Sequence, residues 1–122
     1  MKAFTSKPFL RSAMEMNEYQ KSASSTARYP NIGSNPIYPT LGLSGEAGEV
    51  AEKVKKVLRD QNGLFDDEAR EAIKLELGDV LWYVAQLSRE LNLTLEDIAQ
   101  SNLTKLSERN MRGTISGSGD LR

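Results

Sequence analysis

The chain of 122 residues has no cysteine and no histidine. The first absence excludes disulfides, zinc–thiolate centres, iron–sulfur clusters and thiol nucleophiles. The second excludes the commonest general base, the serine–histidine triad and every imidazole-bound metal. A ferritin-like di-iron bundle, whose sites use Glu-x-x-His pairs, falls on the same ground. An excess of one charge is also lacking. Sixteen basic and 17 acidic side chains leave a formal net charge of −1, which gives no bulk electrostatic support for a nucleic-acid or membrane partner. No apolar run reaches membrane-spanning length, and Met1-Lys2-Ala3-Phe4-Thr5-Ser6 lacks a secretory hydrophobic stretch, so a cytoplasmic protein is expected. What remains for chemistry is carboxylates, lysines, arginines, hydroxyls and a bound ion.

The carboxylates come in a pattern. Glu46-Ala47-Gly48-Glu49 and Glu76-Leu77-Gly78-Asp79 share one internal spacing, and on a helix residues three apart are neighbours on one face. Two such helices side by side would direct four carboxylates at a hard cation. Like charges repel unless something positive lies between them. The competing structural reading pairs these acids with Lys or Arg from another helix.

The surrounding sequence supplies the helices. A first one is expected from Asn17, a capping residue, to about Ala27. Arg28 to Thr40, with Pro30, Gly33, Pro36 and Pro39, reads as a long loop, and long ordered loops tend to be functional. A second helix is expected from about Thr40 to Asp60, with Val50, Val54 and Val57 as its apolar stripe. Asn62-Gly63 ends it. Asp66 or Asp67 caps a third helix to Leu91, whose apolar positions Ile73, Leu77, Val80, Leu81, Val84 and Leu87 mark a core helix around Glu76 and Asp79. Thr94-Leu95-Glu96-Asp97 resembles a capping box and opens a fourth helix to about Arg109. The expected organisation is an N-terminal arm over 1–15, a helical domain over 16–112 and a flexible, glycine- and serine-rich tail over 113–122. Four helices and no convincing strand give an all-α, four-helix bundle-type fold.

Further polar residues extend these faces. Lys53 and Lys56 follow Glu49 along the second helix, an arrangement suited to a metal-bound polyphosphate but also to ordinary solvated Glu–Lys pairs. Tyr83 follows Asp79 by one turn, where its ring can stack on a base or simply fill a helix interface. Trp82 points elsewhere, toward core or interface. Asn102, Lys105 and Arg109 form a second polar stripe on the fourth helix.

Leu43-Ser44-Gly45-Glu46-Ala47-Gly48-Glu49-Val50 with Glu76-Leu77-Gly78-Asp79-Val80-Leu81-Trp82-Tyr83 resembles the MazG-like all-α nucleoside triphosphate pyrophosphohydrolases, relatives of dimeric dUTPases and dCTP pyrophosphatases. Asn17-Glu18-Tyr19-Gln20, Asn102-x-x-Lys105-Leu106-x-x-Arg109 and the closing Arg112-Gly113-Thr114-Ile115 with Gly117-Ser118-Gly119-Asp120 resemble the short single-domain members of bacteria and phages. Gly45 stands where many members carry a further glutamate. The resemblance implies hydrolysis of an NTP or dNTP to the monophosphate and pyrophosphate, dependent on Mg2+ or Mn2+. It implies Glu46, Glu49, Glu76 and Asp79 as metal ligands, with Glu49 activating water. It implies phosphate charge met by Lys53, Lys56, Lys105 and Arg109, and a homotetramer built from dimers or a homodimer. The base is open: one canonical dNTP such as dGTP, or non-canonical nucleotides. The alternative is a non-catalytic nucleotide-binding or regulatory bundle.

Overall fold

A computed structural model describes residues 13–120. Four helices follow one another, α1 (Met16–Ser24), α2 (Ile37–Asp60), α3 (Asp67–Glu90) and α4 (Leu95–Arg112), with no strand among the described residues. The all-α expectation holds. Residues 1–12, most of the expected arm, lie outside the described residues, as do 121–122. None of the helices is long and apolar enough to cross a membrane.

Two helix starts differ from expectation. Glu15, not Asn17, caps α1, in a reciprocal capping box with Glu18. Asn17 is used across the fold instead: its Oδ1 accepts from the Glu96 N–H at 3.1 Å. Gln20 reinforces that tie, accepting from the Leu95 N–H at 2.9 Å and donating to the Leu93 carbonyl at 3.0 Å. Three side-chain bonds thus hold α1 to the start of α4. The second helix begins at Ile37 rather than Thr40, with Pro36 as its cap and Pro39 inside its first turn. First-turn amides have no intrahelical acceptor, so proline costs nothing there.

Helices α2 and α3 form an antiparallel pair. The chain reverses through Asn62 and Gly63, both left-handed at φ 53° and 75°, and Asp66 caps α3 by accepting from the Ala69 N–H at 2.8 Å. The register follows from what meets across the pair. Gly42 faces the Tyr83 ring, Glu46 faces Asp79, Lys53 reaches Glu76, and Val57 shares a groove with Ala69. α1 packs on α3 and on α4.

The buried cluster is small: Ala23, Ala85 and Leu95, with Tyr19, Trp82 and Val84 packed around them. Trp82 fills its expected core place, its indole N–H donating to the Ala23 carbonyl at 3.1 Å and to Thr26 Oγ1 at 3.0 Å. The expectation that α3 is buried on much of its circumference needs correction, since Leu75, Leu77 and Leu81 are 66%, 52% and 41% exposed. Periodicity shows which side chains share a face, not whether one chain covers it. At the other end Thr94 caps α4 through the Asp97 N–H at 3.1 Å, and left-handed Gly113 (φ 73°) ends it.

Candidate metal centre

The antiparallel register does what the paired spacing requires. Glu46 from α2 and Glu76 and Asp79 from α3 each place a carboxylate oxygen within 4.8 Å of the others. Glu46 and Glu76 are half-buried, and Asp79 is exposed. The Glu46 carboxyl is held above its ordinary range by burial first, then by the negative charges of Asp79, Glu76 and Glu49. Among the described residues a single ammonium approaches, that of Lys53, 3.9 Å from Glu76 Oε1, too long for a hydrogen bond. Crowded, poorly neutralised oxygen donors without nitrogen or sulfur are what a hard divalent cation binds. The residues fit the group.

Glu49 lies outside this trio. It is exposed, one turn further along α2, and acts on Glu46 as the weakest of the three neighbouring charges. Lys56 and Lys53 line a shallow groove with Asp60 and Glu68, continuing away from the acids. On the other side of the trio Tyr83 lays its ring against α2, so close that a Cβ at Gly42 would sit 2.2 Å from it. The Tyr83 ring meets Trp82 edge-on at 5.0 Å between centroids. Its hydroxyl is held above the ordinary tyrosine range, by burial first and then by Tyr38 and the Glu46 charge. Tyr38 in turn stacks on Tyr29 at 5.1 Å.

The α4 stripe is elsewhere. Asn102 and Lys105 border a hollow with Asp97, Ile98 and Ser101. Lys105 and Arg109 both bind Asp120 Oδ1 at 3.1 Å, and Arg109 also donates to the Gly119 carbonyl at 3.3 Å. Arg109 is buried, and its Nε has no partner. Among the described residues, nothing hydrogen-bonds or ion-pairs this stripe with the acid trio of the same chain.

Residues 38–113 match the sequence profile of the MazG nucleotide pyrophosphohydrolase domain. The chain belongs to this family. It is also 50% identical over 114 residues to the Gene 37 protein of Mycobacterium phage L5, a match spanning 89% of this chain and 100% of that one. No solved structure matches it. The matched span of the MazG domain holds the trio, Glu49, Tyr83 and the α4 stripe, and leaves α1 outside.

Two residues of this MazG domain were not singled out from sequence. Glu90, the last residue of α3, has a fully enclosed side chain. It accepts from the Tyr29 hydroxyl at 2.5 Å and from the backbone N–H groups of Gly33 and Asn35 at 2.8 and 2.7 Å. Burial pushes its carboxyl up, but the Tyr29 hydrogen bond and the Asn35 and Gly33 amides outweigh it, and the carboxyl is held below its usual range. Glu90 thereby fixes the loop leading into Tyr38. A sequence signal existed: an acid at a helix C-terminus opposes the helix dipole and calls for strong donors. Gln86, four residues earlier, is also enclosed, but neither polar atom of its amide has a partner.

Proposed function

We propose that this chain is a metal-dependent nucleoside triphosphate pyrophosphohydrolase, converting an NTP or dNTP and water to the monophosphate and pyrophosphate. The observation that carries the reading is the trio: three facing carboxylate oxygens from two antiparallel helices, met among the described residues by one ammonium at 3.9 Å, inside the span that matches the family. Glu46, Glu76 and Asp79, with Glu49 beside them, hold Mg2+, for which Mn2+ substitutes. The bound ion neutralises phosphate charge and lowers the pKa of a water. Such hydrolysis needs charge neutralisation and alignment more than a histidine, which suits a chain without one.

Glu49, exposed at the edge of the trio, orients the attacking water and accepts its proton. Lys53 and Lys56 extend the same helix and meet the phosphates. Tyr83, one turn from Asp79, contacts the sugar or base. Asn102, Lys105 and Arg109 do not face the acids of their own chain, so they serve a neighbour's site in a homodimer or a homotetramer of dimers. The exposed leucines of α3 provide the apolar surface such an assembly buries.

The test is pyrophosphate release from a panel of canonical and modified NTPs and dNTPs with Mg2+, with Mn2+ and with chelator. Metal-dependent release that favours one base supports the proposal and names the substrate. Folded, metal-supplied protein that turns over no nucleotide would sink it.

A further inference from the structure

An enclosed side-chain amide with no partner is uncommon, because burial strips it of water and returns nothing. Gln86 is such a group: it is 0% exposed, and both Oε1 and Nε2 are unpartnered. Its nearest carboxylate along the helix does not serve it, since Glu90 is taken up by Tyr29, Gly33 and Asn35.

Position gives the amide a use. Asp79, Tyr83, Gln86 and Glu90 follow one another at steps of four, three and four along α3, which places them on a single face. Gln86 therefore stands about 10.5 Å beyond Asp79 along the helix axis, comparable with the reach of a nucleotide from its phosphates to the edge of its base. Tyr83 stands between them, its ring seated in the notch left by Gly42. An amide presents a donor and an acceptor side by side, the complement of the pairing edge of a purine or pyrimidine.

We propose that Gln86 reads the hydrogen-bonding edge of the substrate's nucleobase and is the specificity-determining residue of the site, becoming accessible as the base enters. The proposal rests on the pyrophosphohydrolase reading. The phosphates lie at the trio, the ring of the base lies against Tyr83, and the Gln86 amide exchanges its unpartnered state for two hydrogen bonds. A buried polar group that waits for its partner discriminates against every ligand that cannot supply one.

The experiment compares wild type with Gln86→Leu and Gln86→Met in Mg2+. It measures KM and kcat over the four canonical bases, inhibition by tripolyphosphate, which has no base, and the thermal midpoint. The expected result is a KM for the preferred nucleotide raised about tenfold, with kcat retained. The spread of kcat/KM across bases narrows, tripolyphosphate inhibits as before, and the thermal midpoint rises because an unpartnered amide has gone. Gln86→Met keeps the length and flexibility of the side chain and carries the same test should the leucine variant fail to fold. An unchanged base preference overturns the proposal. So does a parallel weakening of nucleotide and tripolyphosphate, which is packing damage reaching the acids. A wild type that turns over no nucleotide overturns the pyrophosphohydrolase reading itself, a result distinct from an active wild type whose variant is equally selective.

Discussion

The two ends of the polar face of α3 treat their carboxylates in opposite ways. At one end Glu76 and Asp79 meet Glu46 with, among the described residues, a single ammonium at 3.9 Å. At the other, Glu90 alone gathers a hydroxyl and two backbone amides. Glu90 is the more enclosed of the two kinds, yet its carboxyl is held below the usual range while that of Glu46 is held above it. Burial raises both, so burial does not decide the order. At Glu90 the donors outweigh burial, whereas at Glu46 no donor opposes it and the neighbouring negative charges add to it. An acid whose partners the chain supplies is part of the scaffold. Acids that the chain crowds together with one distant ammonium are, on the proposed function, the ones that hold the ion.

Removing one member of the trio is the strongest way to break that contrast. Asp79→Asn is expected to reduce turnover by about 10²–10³-fold, while stability in chelator stays level or rises, because a charge leaves a repelling group. Added Mg2+ should raise the thermal midpoint of wild type and not that of the variant. Equal loss of fold and activity would show the trio to be scaffold after all. Glu90→Ala comes next, with the opposite signature. It leaves the Tyr29 hydroxyl and the Gly33 and Asn35 amides without an acceptor, and urea denaturation at neutral pH should show a loss of more than about 2 kcal/mol.

The pH dependence sharpens the contrast without deleting anything from wild type. Glu90 titrates lower in the folded chain than in the unfolded one. Its stabilisation is present above the unfolded value and is lost as pH falls through the folded value. Glu46 titrates higher when folded. The stability linked to it is full below the unfolded value and declines as pH rises through the folded one. In chelator, Glu46→Gln should therefore be more stable than wild type at neutral pH, with the difference closing in acid. Glu90→Gln should be less stable at neutral pH, and its difference should close in acid as well. Denaturation midpoints followed from neutral pH to below the carboxylate range check both signs, and two differences of the same sign would end the comparison.

The half of this contrast that carries chemistry was legible in the sequence, and the half that carries structure was not. Paired carboxylates at helical spacing sit on two adjacent segments, and the turn at Asn62-Gly63 forces those segments antiparallel, so local rules suffice to bring Glu46 to Asp79. Caps at Asp66 and Thr94 are equally local and were found where expected. Glu90 depends on donors 55–61 residues away in sequence, in a loop whose prolines read only as breaks. Asn17 misled for the same reason: capping chemistry describes what it is able to do, while the fold employs it 79 residues away. That a four-helix monomer need not cover every apolar residue of α3 was legible, but which leucines stay exposed was not, because no single-chain pattern states how many copies of the chain share a core.

The smallest expected effect concerns a third acid, one that belongs to neither end. Asp120 is 79% exposed and holds Lys105 and Arg109, which keep its carboxyl below the ordinary range, Lys105 foremost. The Lys105 pair is exposed and contributes little, but Arg109 is buried, so Asp120→Asn, which keeps an accepting oxygen, should lower the denaturation midpoint only slightly. Its main effect belongs to the substrate. If Lys105 and Arg109 meet phosphate in an assembled site, the Asp120 carboxylate competes for the same nitrogens. Its removal should then lower KM for the nucleotide at low ionic strength, with the two proteins converging as salt screens the difference. A KM that is the same at every salt concentration would detach the α4 cations from the substrate. The site would then be confined to the α2–α3 pair, and the contrast between the two ends of α3 would describe all of its charge.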